Sequence, residues 1–144
     1  MKYFLKLNVV SILYAFMVFV PLELMINVYR ISRVTNWEID TVNILTVVTL
    51  IVEIIGGTML LLFLTKKWLG SRKSNFWTAI LWVAYFILFV YVFASLFPIT
   101  YGGDVPNPVT GLLAIGVLIV YPFYIATLNF FGMMTNDDKT IKTT

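Results

Sequence analysis

Apolar residues fill four long stretches of the chain, and most charged residues fall outside them. The stretches run roughly Leu7–Tyr29, Thr41–Thr65, Phe76–Phe97 and Val109–Phe131. A helix needs about 20 mostly apolar residues to cross a bilayer core about 30 Å thick, so each stretch is long enough to span with some tilt. The breaks are charged or turn-forming. Arg30–Asp40 holds four charged residues, Lys66–Asn75 holds four more, and Pro98–Pro108 mixes Pro, Gly and Asp. A β-barrel would need short alternating segments of about ten residues, and the chain has none. The pattern predicts an all-α fold, a four-helix transmembrane bundle forming a single domain over residues 1–134. A short polar, frayed tail is expected over 135–144. No internal repeat relates the first two spans to the last two.

Composition agrees with that reading. Of 144 residues, 60% are hydrophobic, 17% aromatic and only 12% charged, against about 25% charged in an ordinary soluble domain. Lys2 and Lys6 precede the first span as they would a secretory signal, but its apolar stretch is longer than the usual h-region of about 7–15 residues. It is therefore expected to be retained. The chain has no cysteine and no histidine, so thiolate sites, disulfides, imidazole metal ligands and histidine proton shuttles are excluded. Metal sites, cofactors and catalysis are not expected. The net charge of +3 is too small to suggest nucleic-acid binding.

The placement of Lys and Arg predicts orientation. Lys2, Lys6, Lys66, Lys67, Arg72, Lys73, Lys139 and Lys142 share one side, against Arg30 and Arg33 on the other. Basic loops favour the cytoplasm, so both termini are expected there. Trp37 and Tyr101 near one boundary, and Trp68 and Trp77 near the other, fit interfacial aromatic belts. Lys66, Lys67, Arg72 and Lys73 form a cluster of the kind that attracts anionic lipid headgroups. Abundant Lys, Asn, Ile, Phe and Tyr suggest a bacterial host, hence a multi-pass protein of the cell membrane.

Two carboxylates fall inside the apolar stretches. Glu53 lies at the centre of the second span, where an acidic residue costs about 2.5–3.5 kcal/mol on insertion scales and rarely faces lipid. At about 100° per residue, Asn43, Thr46, Thr49, Glu53, Gly56 and Gly57 share one small, polar face suited to helix contacts. Ile44, Val47, Ile51, Ile55 and Leu62 form the opposite, lipid-suited face. Glu53 is either an ion, proton or substrate site or a neutral acid hydrogen-bonded to a Tyr, an Asn or a backbone carbonyl. Glu23, Asn27 and Arg30 recur at i, i+4 and i+7, so Asn27 and Arg30 are expected to satisfy Glu23. Glu23 could also pair with Glu53 across adjacent helices. Gly116 is expected, with Gly56 and Gly57, at close helix contacts.

The third stretch carries nine aromatic residues between Phe76 and Phe97, read as spread around the helix for contact with lipid or a partner. Tyr101–Asp104 reads as a turn. The expected function is a small non-catalytic membrane protein that binds other membrane components, either as an accessory subunit or as an immunity or regulatory protein. Its expected partners are lipids and other membrane subunits or further copies of itself. The alternative is a small oligomeric ion- or proton-coupled transporter or channel using Glu53.

Overall fold

The computed structural model describes residues 2–141, with side chains described for 2–134. Helix accounts for 89% of the described residues, and no strand occurs among them. The helices are α1 (Lys2–Ile26), α2 (Val28–Thr35), α3 (Ile39–Leu64), α4 (Thr78–Leu96) and α5 (Pro108–Ile141). Four helical segments are long and apolar enough to cross a membrane: Lys2–Ile26, Ile39–Leu69, Lys73–Leu96 and Pro108–Met134.

These segments overlie the four apolar stretches, with two differences. The first stretch breaks at Asn27 instead of running to Tyr29. Pro21 has no N–H to give Met17, and the Asn27 side-chain amide donates to both the Glu23 carbonyl and Glu23 Oε2, each at 2.9 Å. Backbone bonds still bridge the bend, from Asn27 N to Glu23 O and from Ile31 N to Asn27 O. α2 then ends on Asn36 in the left-handed conformation (φ 56°). At the other terminus the tail expected to fray continues α5 as far as Ile141, while 142–144 lie outside the described residues.

The helix that organises the bundle is α1. It packs against α3, α4 and α5, and α5 in turn packs against α3 and α4. α3 and α4 flank α1 without packing closely on each other. One face of α1 is consequently buried by Val10, Tyr14, Val18 and Leu22. On another face Leu5 and Phe16 are exposed, Phe16 by 50%, while Val9, Val20 and Glu23 are part-buried.

Lipid tails are as apolar as leucine, so hydrophobicity alone would not hold such helices together; shape and hydrogen bonds must. Tyrosines supply several of those bonds. Tyr85 donates to Asn8 Oδ1 (2.5 Å), tying α4 to α1, and Tyr121 donates to the Tyr14 carbonyl (2.6 Å), tying α5 to α1. Tyr124 and Thr58 share a 2.5 Å bond between α5 and α3.

The aromatics of the third stretch are spread around it as expected, but a subset forms an inward line on α4. Trp82, Phe86, Phe89 and Phe93 recur at i, i+4, i+7 and i+11. Trp82 meets Tyr121 edge-on at 4.9 Å, and Phe89 meets Phe16 and Phe19 at 6.1 and 5.6 Å. Edge-to-face contacts of this kind add to burial, which is why this line turns inward while Tyr91 and Phe97 remain outside.

Candidate functional site

Glu53 projects from the face of α3 that carries Thr46, Thr49 and Gly57, which turns towards α1; Ile44, Val47, Ile51 and Ile55 are exposed on the other side. The side chain is half-buried at the edge of a groove of about 120 Å³ lined by Leu13, Phe16 and Met17 of α1 and by Gly57, Leu60 and Leu61 of α3. Its Oε2 atom is buried and has no hydrogen-bond partner. A buried polar oxygen without a partner costs about 1–3 kcal/mol, so this is a place where the bundle is incomplete on its own terms.

Of the three glycines expected at helix contacts, Gly57 makes one: a Cβ there would come within 2.8 Å of Met17 Sδ. Gly56 and Gly116 are exposed, with no atom within 4 Å of an added Cβ, because both lie on the outer surface of their helices. Gly132 was not anticipated. It packs against Thr65, with an added Cβ 2.8 Å from Thr65 Cγ2.

Glu23 occupies a different groove, of about 340 Å³, between α1 and α4, where Phe19, Phe93 and Phe97 surround it. The two carboxylates line separate grooves, so the Glu23–Glu53 pair is not formed. Asn27 bonds Glu23 as expected, and Arg30 lines the same groove without a hydrogen bond to Glu23. Its guanidinium instead donates to the carbonyls of Phe97 and Pro98, each at 2.9 Å, covering acceptors left open at the end of α4. Arg30 also lies 3.7 Å from Asp104.

Asp104, in the segment that reads as a turn, anchors this end of the bundle. Arg33 grips it in bidentate fashion, Nε to Oδ1 at 2.9 Å and the terminal nitrogen to Oδ2 at 2.7 Å, while stacking over Tyr101. The residue is 3% exposed, covered by the guanidinium groups and nearby backbone although it sits at the rim of the molecule. The Arg33 hydrogen bonds hold its carboxyl below the usual carboxylate range, with Arg30 adding to the effect.

At the opposite end a neutral network closes the bundle. Tyr3 donates to Asn75 Oδ1 (2.8 Å) and bonds Ser74 (2.7 Å); Asn75 Nδ2 donates to the Gly70 carbonyl (2.7 Å). Asn129 of α5 donates to Thr78 Oγ1 (2.8 Å), and Thr78 donates to the Asn75 carbonyl (2.8 Å). Gly70 turns the chain here at φ +65° and ψ −161°, a conformation open essentially only to glycine. The predicted headgroup cluster surrounds this turn. Lys67 lies over Phe63, Arg72 lies over Tyr3, and Lys73 is exposed. Lys66 is part-buried beside them.

The side chains of Asn8, Tyr3 and Asn75 carry much of this bonding and do not stand out in the sequence. Their only signal was that each is a polar residue inside or beside an apolar stretch. No family model matches the chain, and neither curated proteins nor solved structures show significant similarity to it.

Proposed function

We propose that the protein is a non-catalytic membrane protein that crosses the cell membrane four times with both termini in the cytoplasm. It acts as an accessory subunit, holding a helix of another membrane polypeptide against α1 between α3 and α4. The observation that carries this reading is the buried, unpartnered Oε2 of Glu53 beside the exposed Phe16 of α1. In hydrocarbon such an oxygen is expensive unless a neighbour supplies a donor, and a partner helix with a polar side chain would do so. The orientation rests on the excess of Lys and Arg around the 65–77 connection and the N-terminus.

Native mass spectrometry after gentle extraction from the host's own membranes tests the reading. A stoichiometric complex with another polypeptide is expected. Glu53→Leu should weaken it roughly tenfold, and Glu53→Gln, which keeps the shape and a hydrogen-bonding group, should largely retain it. The same unpartnered oxygen also supports a second reading, a small oligomeric ion- or proton-coupled transporter or channel. A homo-oligomer without partners, whose ion flux in liposomes vanishes in Glu53→Gln, would favour that reading and overturn the first.

A further inference from the structure

We propose that the lysine-rich end of the bundle carries a binding site for a phosphate-bearing anion of the kind an acidic phospholipid headgroup presents. Four cations from two remote parts of the chain line one cavity of about 370 Å³: Lys2 and Lys6 from the start of α1, and Lys67 and Arg72 from the connection after α3. The sequence clusters Lys67 with Arg72, but only the fold adds Lys2 and Lys6.

The arrangement is held in place by neutral groups. The Arg72 guanidinium lies 4.6 Å over the Tyr3 ring, which is itself anchored to Ser74 and to the fully buried Asn75. Asn75 in turn bonds the Gly70 carbonyl at the cavity wall. Arg72 is thus positioned before any anion arrives. The ion pairs among the described residues join Arg30 and Arg33 to Asp104 at the far end, so no described carboxylate neutralises these four cations.

Like charges gathered in one cavity repel one another, and a bound anion with several oxygens removes that repulsion while accepting from lysine and arginine donors together. Each basic residue near an anionic surface strengthens attraction roughly fivefold, so four of them discriminate strongly between acidic and zwitterionic headgroups. The site is independent of the partner-helix groove, which lies along α1 at Glu53.

The test uses the full chain reconstituted in phosphatidylcholine vesicles containing a minor fraction of phosphatidylglycerol, then released for native mass spectrometry. Retention of phosphatidylglycerol over phosphatidylcholine is expected. The combined Lys2→Gln, Lys6→Gln and Arg72→Gln variant should lower that retention by roughly tenfold or more, whereas Lys73→Gln, outside the cavity, should change it less than about twofold. Lys6→Arg, which keeps the charge, should retain the lipid and guards against a folding defect in the triple variant. Equal retention of both lipids, or an equal effect of Lys73→Gln, overturns the site in favour of a diffuse basic surface. Added inorganic phosphate distinguishes the sources. Displacement of the lipid assigns the site to soluble phosphate compounds, and persistence assigns it to the membrane headgroup.

Discussion

The two ends of the bundle are closed by opposite chemistry. One end relies on neutral amides and hydroxyls: Asn75, Thr78 and Asn129 are all fully buried, and of their side-chain polar atoms Asn129 Oδ1 is the one left without a partner. The other relies on ions, with Arg30 and Arg33 converging on Asp104. The difference follows from what each group costs to desolvate. An amide with its bonds made can sit in the interior at little net cost, whereas an ion pair is best kept near water unless its geometry is excellent. The neutral network therefore joins helices at depth, where α4 and α5 meet. The ionic clamp works at the rim, where it fastens two connections to each other.

Breaking the neutral end should have the largest effect. Asn75→Ala leaves the Gly70 carbonyl without its donor and the Tyr3 hydroxyl with Ser74 in place of two partners, at about 1–3 kcal/mol for each bond lost to a group that stays buried. Unfolding free energies in mixed micelles should fall by about 2–4 kcal/mol. A loss under about 0.5 kcal/mol would mean that water replaces these bonds and that the network does not hold the end together.

Gly70→Ala probes the same end through the backbone. A side chain at φ +65° and ψ −161° should cost about 1–3 kcal/mol, measured in the same way. An unchanged stability would show that the turn relaxes without disturbing Asn75.

Asp104→Asn should have the smallest effect at neutral pH but a distinctive dependence on acid. Because the folded carboxyl titrates below its ordinary value of about 3.9, the clamp's contribution is complete above that value and is lost as pH falls through the lower folded one. Thermal melts taken from about pH 7 down to about pH 3 should show an acid-sensitive arm in the native chain and a flatter one in Asp104→Asn. High salt should weaken the clamp and leave the neutral end unaffected. If the acid arm survives in Asp104→Asn, the clamp is not its source, and the contrast between the two ends fails.

Much of the fold was legible in the sequence because it is written locally. The four apolar stretches and their polar breaks set the helices. The periodicity of α3 set Thr46, Thr49, Glu53 and Gly57 on its less exposed side and Ile44, Val47, Ile51 and Ile55 outside, but it misplaced Asn43 and Gly56, which are exposed, and Leu62, which packs against the core. The candidate site was legible only in part. Glu53 stood out by depth alone, but its distance from Glu23 depended on which neighbour each faces, and α1 turns Glu23 towards α4. The inward stripe of α4 was present at 82, 86, 89 and 93, but it was obscured by aromatic residues on every other face.

Length, hydropathy and helical period determined by themselves that this chain forms four long apolar helices, and which side of α3 avoids the outside. The tertiary structure alone decided the pairings: Tyr85 with Asn8, Asn129 with Thr78, Arg33 with Asp104, and Lys2 and Lys6 with Lys67 and Arg72. Helix formation and facing depend on residues three or four positions apart. A hydrogen bond across 50 to 77 positions depends on how each helix is rotated and raised against its neighbours, which is set by packing over the whole bundle.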